Sequence, residues 1–132
     1  MNRHQVAAQL YRQLGWSPGT ACHLVWLRAG RVVDALELPH TLGQRTQRLL
    51  PTETPLFEVI DLDQPRWVFL TQPARRPIDT LGALGVDHIT GGRTVDLPPS
   101  EYGQRRLHWL IAPTTPLPPF VTVADAIIRA VA

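Results

Sequence analysis

Apolar and polar positions along this chain fall into short blocks, and the period of the pattern changes from block to block. Val6, Leu10 and Leu14 recur at i, i+4 and i+8, the spacing of one helix face. Asn2 and Gln5 form a capping box ahead of them and Gly15 is a natural stop, so a helix is predicted over about 3–14. Trp16-Ser17-Pro18-Gly19 reads as a turn. Period two then takes over, and residues 22–28 and 31–38 read as a β-hairpin with Ala29-Gly30 in its loop. Thr41 can cap a helix of about 42–50 that turns Leu42, Leu49 and Leu50 inward, and Pro51 stops it. Residues 56–62 and 66–71 make a second hairpin around Asp63-Gln64-Pro65, both halves rich in β-branched and aromatic residues. Pro77 and Asp79 open a short helix that carries Ile78, Leu81 and Leu84 and ends at Gly85. Strands near 93–97 and 106–112 follow, joined through Pro98-Pro99, which fixes φ and turns the chain out of its sheet. A proline-rich connection over 113–119 leads to a last helix, with Thr122 and Asp125 as its cap and Val123, Ile127 and Val131 on one face. Hairpins alternating with helices predict an α+β fold, one mainly antiparallel sheet with helices packed against it.

Length changes little in this picture: 132 residues suit a single domain, 1–132, with one core. No apolar run is long enough to span a membrane and no signal-peptide pattern opens the chain, so a cytoplasmic protein without a membrane partner is expected. Cys22 is the only cysteine, which excludes an internal disulfide and a cysteine zinc site, and it reads as a small buried hydrophobe in a strand. All 13 basic residues are arginine, and the net charge is only +2. That permits anionic partners without the strong field of a dedicated nucleic-acid binder.

The order of several local signatures carries more. Leu14-Gly15-Trp16 is followed by Asp34-Ala35-Leu36-Glu37-Leu38-Pro39 with Leu42-Gly43, and then by Arg66-Trp67-Val68-Phe69-Leu70-Thr71-Gln72-Pro73. Leu81, Leu84, the stretch Asp87-His88-Ile89-Thr90-Gly91-Gly92, the corner Leu97-Pro98-Pro99-Ser100, and Trp109 with Pro113 complete the series. This succession, over nearly the whole chain, resembles the actinobacterial primase/polymerase-like domains related to the archaeo-eukaryotic primase core. The resemblance implies a small α+β domain of nucleotide-linked ancestry. It also implies a carboxylate pair on one strand that holds the divalent metal bridging a nucleoside triphosphate, and a histidine on a neighbouring strand.

Asp34-x-x-Glu37 stands where that pair belongs, and a spacing of three sends the two carboxylates to opposite faces of a strand. The strand that aligns with the histidine-bearing one, 66–72, has no histidine. Catalytic candidates are therefore Asp34, Glu37 and His88, the last as general base or phosphate contact. Asp61-Leu62-Asp63 is the one true Asp-x-Asp, with a geometry suited to Mg²⁺ or Mn²⁺ if it lies in a strand. Arg75, Arg76, Arg93 and Arg106, with Arg105, make a candidate phosphate-reading patch, and Trp67 or Trp109 a candidate stacking ring. Ser100 and Cys22 lack the neighbours of a nucleophile.

The expectation is a stand-alone primase/polymerase-like domain that has lost catalysis and serves as an accessory or regulatory protein. Its ligand would be a nucleotide or nucleic acid, held between the sheet face of Asp34 and Glu37 and the arginines at 75, 76 and 93. The alternatives are an active Mg- or Mn-dependent nucleotidyltransferase, and a module that docks a protein partner or a second copy through a hairpin edge or the apolar 115–123 segment.

Overall fold

The computed structural model describes residues 1–61 and 63–132. Its elements in chain order are α1 (Arg3–Gln13), β1 (Gly19–Ala21), β2 (Leu24–Arg28), β3 (Asp34–Pro39), α2 (His40–Gln47), β4 (Leu56–Ile60), β5 (Arg66–Thr71), α3 (Thr80–Ala83), β6 (Asp87–Ile89), β7 (Thr94–Leu97), β8 (Glu101–Tyr102), β9 (Arg105–Ile111) and α4 (Phe120–Val131). The class is α+β with antiparallel pairing throughout. The strands hydrogen-bond in two ladders, a six-stranded sheet of order β6-β3-β5-β4-β9-β8 and a three-stranded sheet of order β1-β2-β7.

The larger sheet is buried on both faces. Leu36, Leu38, Leu56, Trp67 and Phe69 meet α3 and α4 on one side, through Leu81, Phe120, Val123 and Ile127. Ala35, Phe57, Val59, Val68, Leu70 and Leu107 meet the smaller sheet and α1 on the other, through Val25, Leu27, Val95, Leu97, Ala8 and Tyr11. The six-stranded sheet curls around this second cluster, so that Arg105 of β9 comes within 3.8 Å of Glu37 of β3 although β5 and β4 lie between them in the ladder.

The hairpin at 56–60 and 66–71 forms as its pattern predicts, with Val59 opposite Arg66; the last residue of the predicted first arm, Leu62, lies outside the described residues. The hairpin over 22–38 does not form. Both edges of β2 are already taken, by β1 and by β7. Ala29 instead exchanges hydrogen bonds with Arg93 and Gly92, and the chain passes to the other sheet. The strands near 93–97 and 106–112 likewise part company at the proline corner. Ser100 is fully buried there, and its hydroxyl donates to the Val25 carbonyl while accepting from the Val25 N–H, which pins the corner to β2. Cys22 is not a buried strand residue. It is exposed in the turn between β1 and β2 and has φ of 52°.

The capping box of α1 is present, Asn2 accepting from the Gln5 N–H and Gln5 from the Asn2 N–H. The buried face of that helix is the unexpected one. His4, Ala8 and Tyr11 face the core, whereas Val6 and Leu10 are exposed. The Tyr11 hydroxyl donates to the Pro98 carbonyl and accepts from Trp109 Nε1, so the polar tip of a buried ring finds its partners only in this orientation. Two other helices begin earlier than their side-chain caps predicted. α2 follows Pro39 directly, with the His40 N–H satisfied by the Pro65 carbonyl, and α4 follows Pro119 so that Phe120 can pack in the core. Leu49 and Val131 consequently face solvent.

Two helical glycines separate space from propensity. A Cβ on Gly43 would come within 2.8–3.0 Å of Trp67, whereas one on Gly82 would meet nothing within 4 Å. Gly43→Ala should therefore destabilise the fold by about 1–3 kcal/mol despite the better helix former, and Gly82→Ala should stabilise it by roughly 0.5–1 kcal/mol, both read from urea midpoints.

Tyr11 supplies a second test. Burial pushes its pKa from 10.0 up to about 12, against a smaller lowering by the Trp109 hydrogen bond. The folded chain then keeps a proton that the unfolded chain releases, so the stability is complete below pH 10 and drains away toward pH 12. A shift of this size amounts to roughly 2–3 kcal/mol. With no lysine in the chain, the tyrosines dominate that window. Stability measured from pH 9 to 12 should fall accordingly, and Tyr11→Phe should flatten the fall.

Candidate functional site

β3 opens with Asp34, Leu36 and Leu38 on the face that meets α4, and places Ala35 and Glu37 on the other. Asp34 has no exposed surface. Its Oδ2 accepts from the Ala74 N–H at 3.0 Å and lies 2.8 Å from His88 Nε2, while its Oδ1 accepts from the Thr90 hydroxyl at 2.9 Å. Against an ionised Asp34, which can only accept, this contact calls for the His88 tautomer that carries its proton on Nε2. The His88 ring stacks on Phe120 with centroids 4.5 Å apart. His88 lies on β6, which pairs with β3 on the edge opposite β5. β6 has only three residues, too few for the sequence to show a strand period there.

Glu37 sits on the concave face among cations. Arg66 Nε is 3.6 Å from its Oε2, and Arg105 reaches its Oε1. Beside it Arg93 clamps Asp87 with two bonds of 2.9 and 3.0 Å, and these hold the Asp87 carboxyl below the usual range. The same clamp raises the Arg93 guanidinium. A pocket of about 180 Å³ is lined by Glu37, Asp87, Asp96, Arg93, Arg105 and Tyr102, and of its three carboxylates Glu37 and Asp87 are ion-paired with arginines. Asp34 and Glu37 stand on opposite faces of the sheet, so a single groove between both of them and the arginines does not form.

Asp61 and Asp63 fall beyond the end of β4, so the strand alternation that would align them does not reach them. Leu62, through which it would run, lies outside the described residues. Asp61 approaches Arg105 Nε at 3.7 Å. Among the described residues no group of three or more His, Cys, Asp or Glu side chains can hold a metal ion.

The candidate arginines do not assemble into one patch. Arg75 and Arg76 are exposed in the loop whose Ala74 N–H is anchored by Asp34. Arg93 is engaged by Asp87, and Arg106 lies on the far side of β9 from Arg105. Trp67 is buried with its Nε1 on Glu58 and is closed to stacking, whereas Trp109 packs edge-on against Phe57 but is only half-buried and borders an apolar groove. The prediction passed over Trp26. It points outward from the small sheet, half-buried, beside Arg28 and Arg31, and the signal was its alternation with the buried Val25 and Leu27. A cavity of about 560 Å³ is an apolar groove between α1 and β9 bordered by Leu10, Leu14, Pro99 and Trp109.

Removing the Asp34 carboxylate tests this arrangement. Asp34→Ala strands the Ala74 N–H, the Thr90 hydroxyl and His88 without an acceptor, and should cost about 3–5 kcal/mol in urea unfolding. Asp34→Asn should cost less, because the Thr90 hydroxyl can rotate and accept from the new amide.

No protein-family model, curated protein or solved structure matches this chain, so the site is read from its own geometry.

Proposed function

We propose that the chain is a non-catalytic primase/polymerase-like domain that acts as an accessory binding protein for nucleotide or nucleic acid. The state of the Asp34 carboxylate carries this reading. Metal-dependent nucleotidyl transfer needs two carboxylates turned toward a common, solvent-reached point. Asp34 is sealed from solvent with both oxygens occupied by protein donors, and Glu37 is ion-paired on the other face. A bound Mg²⁺ or Mn²⁺ would have to displace those donors and dehydrate in a closed space. Asp34 serves instead as a structural anchor, and His88, bonded to it and stacked on Phe120, belongs to the same anchor. What remains for a polyanionic ligand is charge and a ring: exposed arginines and an outward tryptophan, neither of which requires a metal.

A second reading, a protein-docking module without a nucleotide ligand, draws on the apolar groove between α1 and β9.

Fluorescence anisotropy with a labelled single-stranded oligonucleotide and with labelled ATP, with and without Mn²⁺ and at two salt concentrations, separates the readings. Binding should be independent of metal, and log K should fall with log salt by about 0.7 for each phosphate neutralised. Primer extension and triphosphate turnover should be absent. Manganese-dependent binding or nucleotide incorporation overturns the loss of catalysis. Absence of binding in every condition overturns the nucleotide reading and leaves protein docking.

A further inference from the structure

Charge is unevenly distributed along this chain. Residues 1–33 contain Arg3, Arg12, Arg28 and Arg31 and no Asp or Glu, a net +4 with histidines neutral. The remaining 99 residues hold the other nine arginines against all 11 acids, a net −2. The four early arginines are all exposed. They lie on α1, on β2 and in the turn after it, so the layer built on the small sheet is basic while the large sheet carries the carboxylates. Among the described residues neither Arg28 nor Arg31 has a carboxylate within ion-pair distance. The one acid of the small sheet, Asp96, stands opposite Trp26 in register and interacts with Tyr102.

In this layer lies a cavity of about 430 Å³ bounded by Trp16, Pro18, Gly19, Trp26, Arg28 and Arg31. Gly19 pairs with Trp26 across the ladder. A Cβ on Gly19 would fall 2.3, 2.4 and 2.6 Å from three consecutive atoms of the indole, Cζ2, Cη2 and Cε2. Near-equal distances of that size place the virtual atom over the ring face, so the missing side chain is what lets the indole lie flat on β1. The ring is thereby held as a platform before any ligand arrives, which limits the ordering cost of stacking. Two guanidiniums lacking carboxylate partners sit at the same cavity, and their planar forks match phosphate oxygens.

We propose that this cavity is the ligand site, taking a nucleotide unit with its base stacked on Trp26 and its phosphate held by Arg28 and Arg31. The assignment rests on the nucleotide-binding reading above and moves its site from the large sheet to the small one. A free nucleotide and one unit of a single strand share this chemistry.

The test uses the full chain, with labelled dT12 and labelled ATP as probes, in wild type, Trp26→Ala, Trp26→Phe, the double variant Arg28→Ala/Arg31→Ala and the control double variant Arg75→Ala/Arg76→Ala. Thermal unfolding of each variant guards against misfolding, and the double arginine variant touches only exposed side chains. Trp26→Ala should weaken binding at least about 10-fold with the salt slope unchanged, and Trp26→Phe should restore most of the loss. Arg28→Ala/Arg31→Ala should weaken dT12 binding and lower the salt slope by roughly 0.7, the share of the one phosphate they hold. Arg75→Ala/Arg76→Ala should bind as wild type. If ATP alone follows this pattern the occupant is a free nucleotide, and if dT12 does it is a strand; either supports the site. Wild-type-like binding by the Trp26 and Arg28/Arg31 variants overturns the site while leaving the function standing. No binding of either probe by the wild type overturns both.

Discussion

A carboxylate fully withdrawn from water is tolerated only when donors replace the water it loses, and Asp34 obtains its donors from three separate segments. They are the Ala74 N–H beyond β5, the His88 ring of β6 and the Thr90 hydroxyl of the following turn. β6 has three residues, none fully buried, which is too little apolar area to hold an edge strand by itself. Its docking against β3 therefore leans on the Asp34–His88 bond, and through the His88–Phe120 stack it leans on α4 as well. One side chain thus fastens an edge strand and a loop directly, and reaches the C-terminal helix through a single histidine.

A comparable economy governs the join between the two sheets. The corner 98–100 carries the chain from β7 in the small sheet toward β9 in the large one, and proline supplies no N–H there to continue either ladder. The corner is secured by side chains instead. The Ser100 hydroxyl acts as both donor and acceptor to Val25, and the Pro98 carbonyl accepts from Tyr11. Since Trp109 Nε1 donates to the same Tyr11 oxygen, α1, the corner and β9 share one hydrogen-bonded chain. This also fixes which way α1 faces: turning Val6 and Leu10 inward would pull that oxygen away from both partners.

The local features of the fold were legible in the sequence: the Asn2–Gln5 box, the 56–60/66–71 hairpin and the stop at Gly85 each depend on residues close together in the chain. Partner choice was not. Residues 22–28 and 31–38 carry the alternation of a hairpin, and nothing local reveals that β1 and β7 occupy both edges of β2. The turn at Cys22 was hidden because a left-handed cysteine lacks the glycine or asparagine that marks such positions. At the candidate site, the opposite facing of Asp34 and Glu37 followed from their spacing alone. The Asp34–His88 bond spans 54 positions and is set by the register of β6, which three residues are too few to disclose.

The two sheets differ in how their charges are matched. On the large sheet the acids are consumed internally, Asp34 by neutral and histidine donors and Glu37, Asp61 and Asp87 by arginines. Residues 1–33, which supply α1, β1 and β2, hold four arginines and no acid, and the small sheet's one acid is Asp96 of β7. Neutralising the first set stabilises a curled sheet whose concave face holds charge next to apolar side chains, where an unpaired carboxylate would be costly. Neutralising the second would bring no such gain, because those arginines are exposed and already solvated. Folding stability therefore depends on keeping the acids of the large sheet paired and is nearly indifferent to the basic layer.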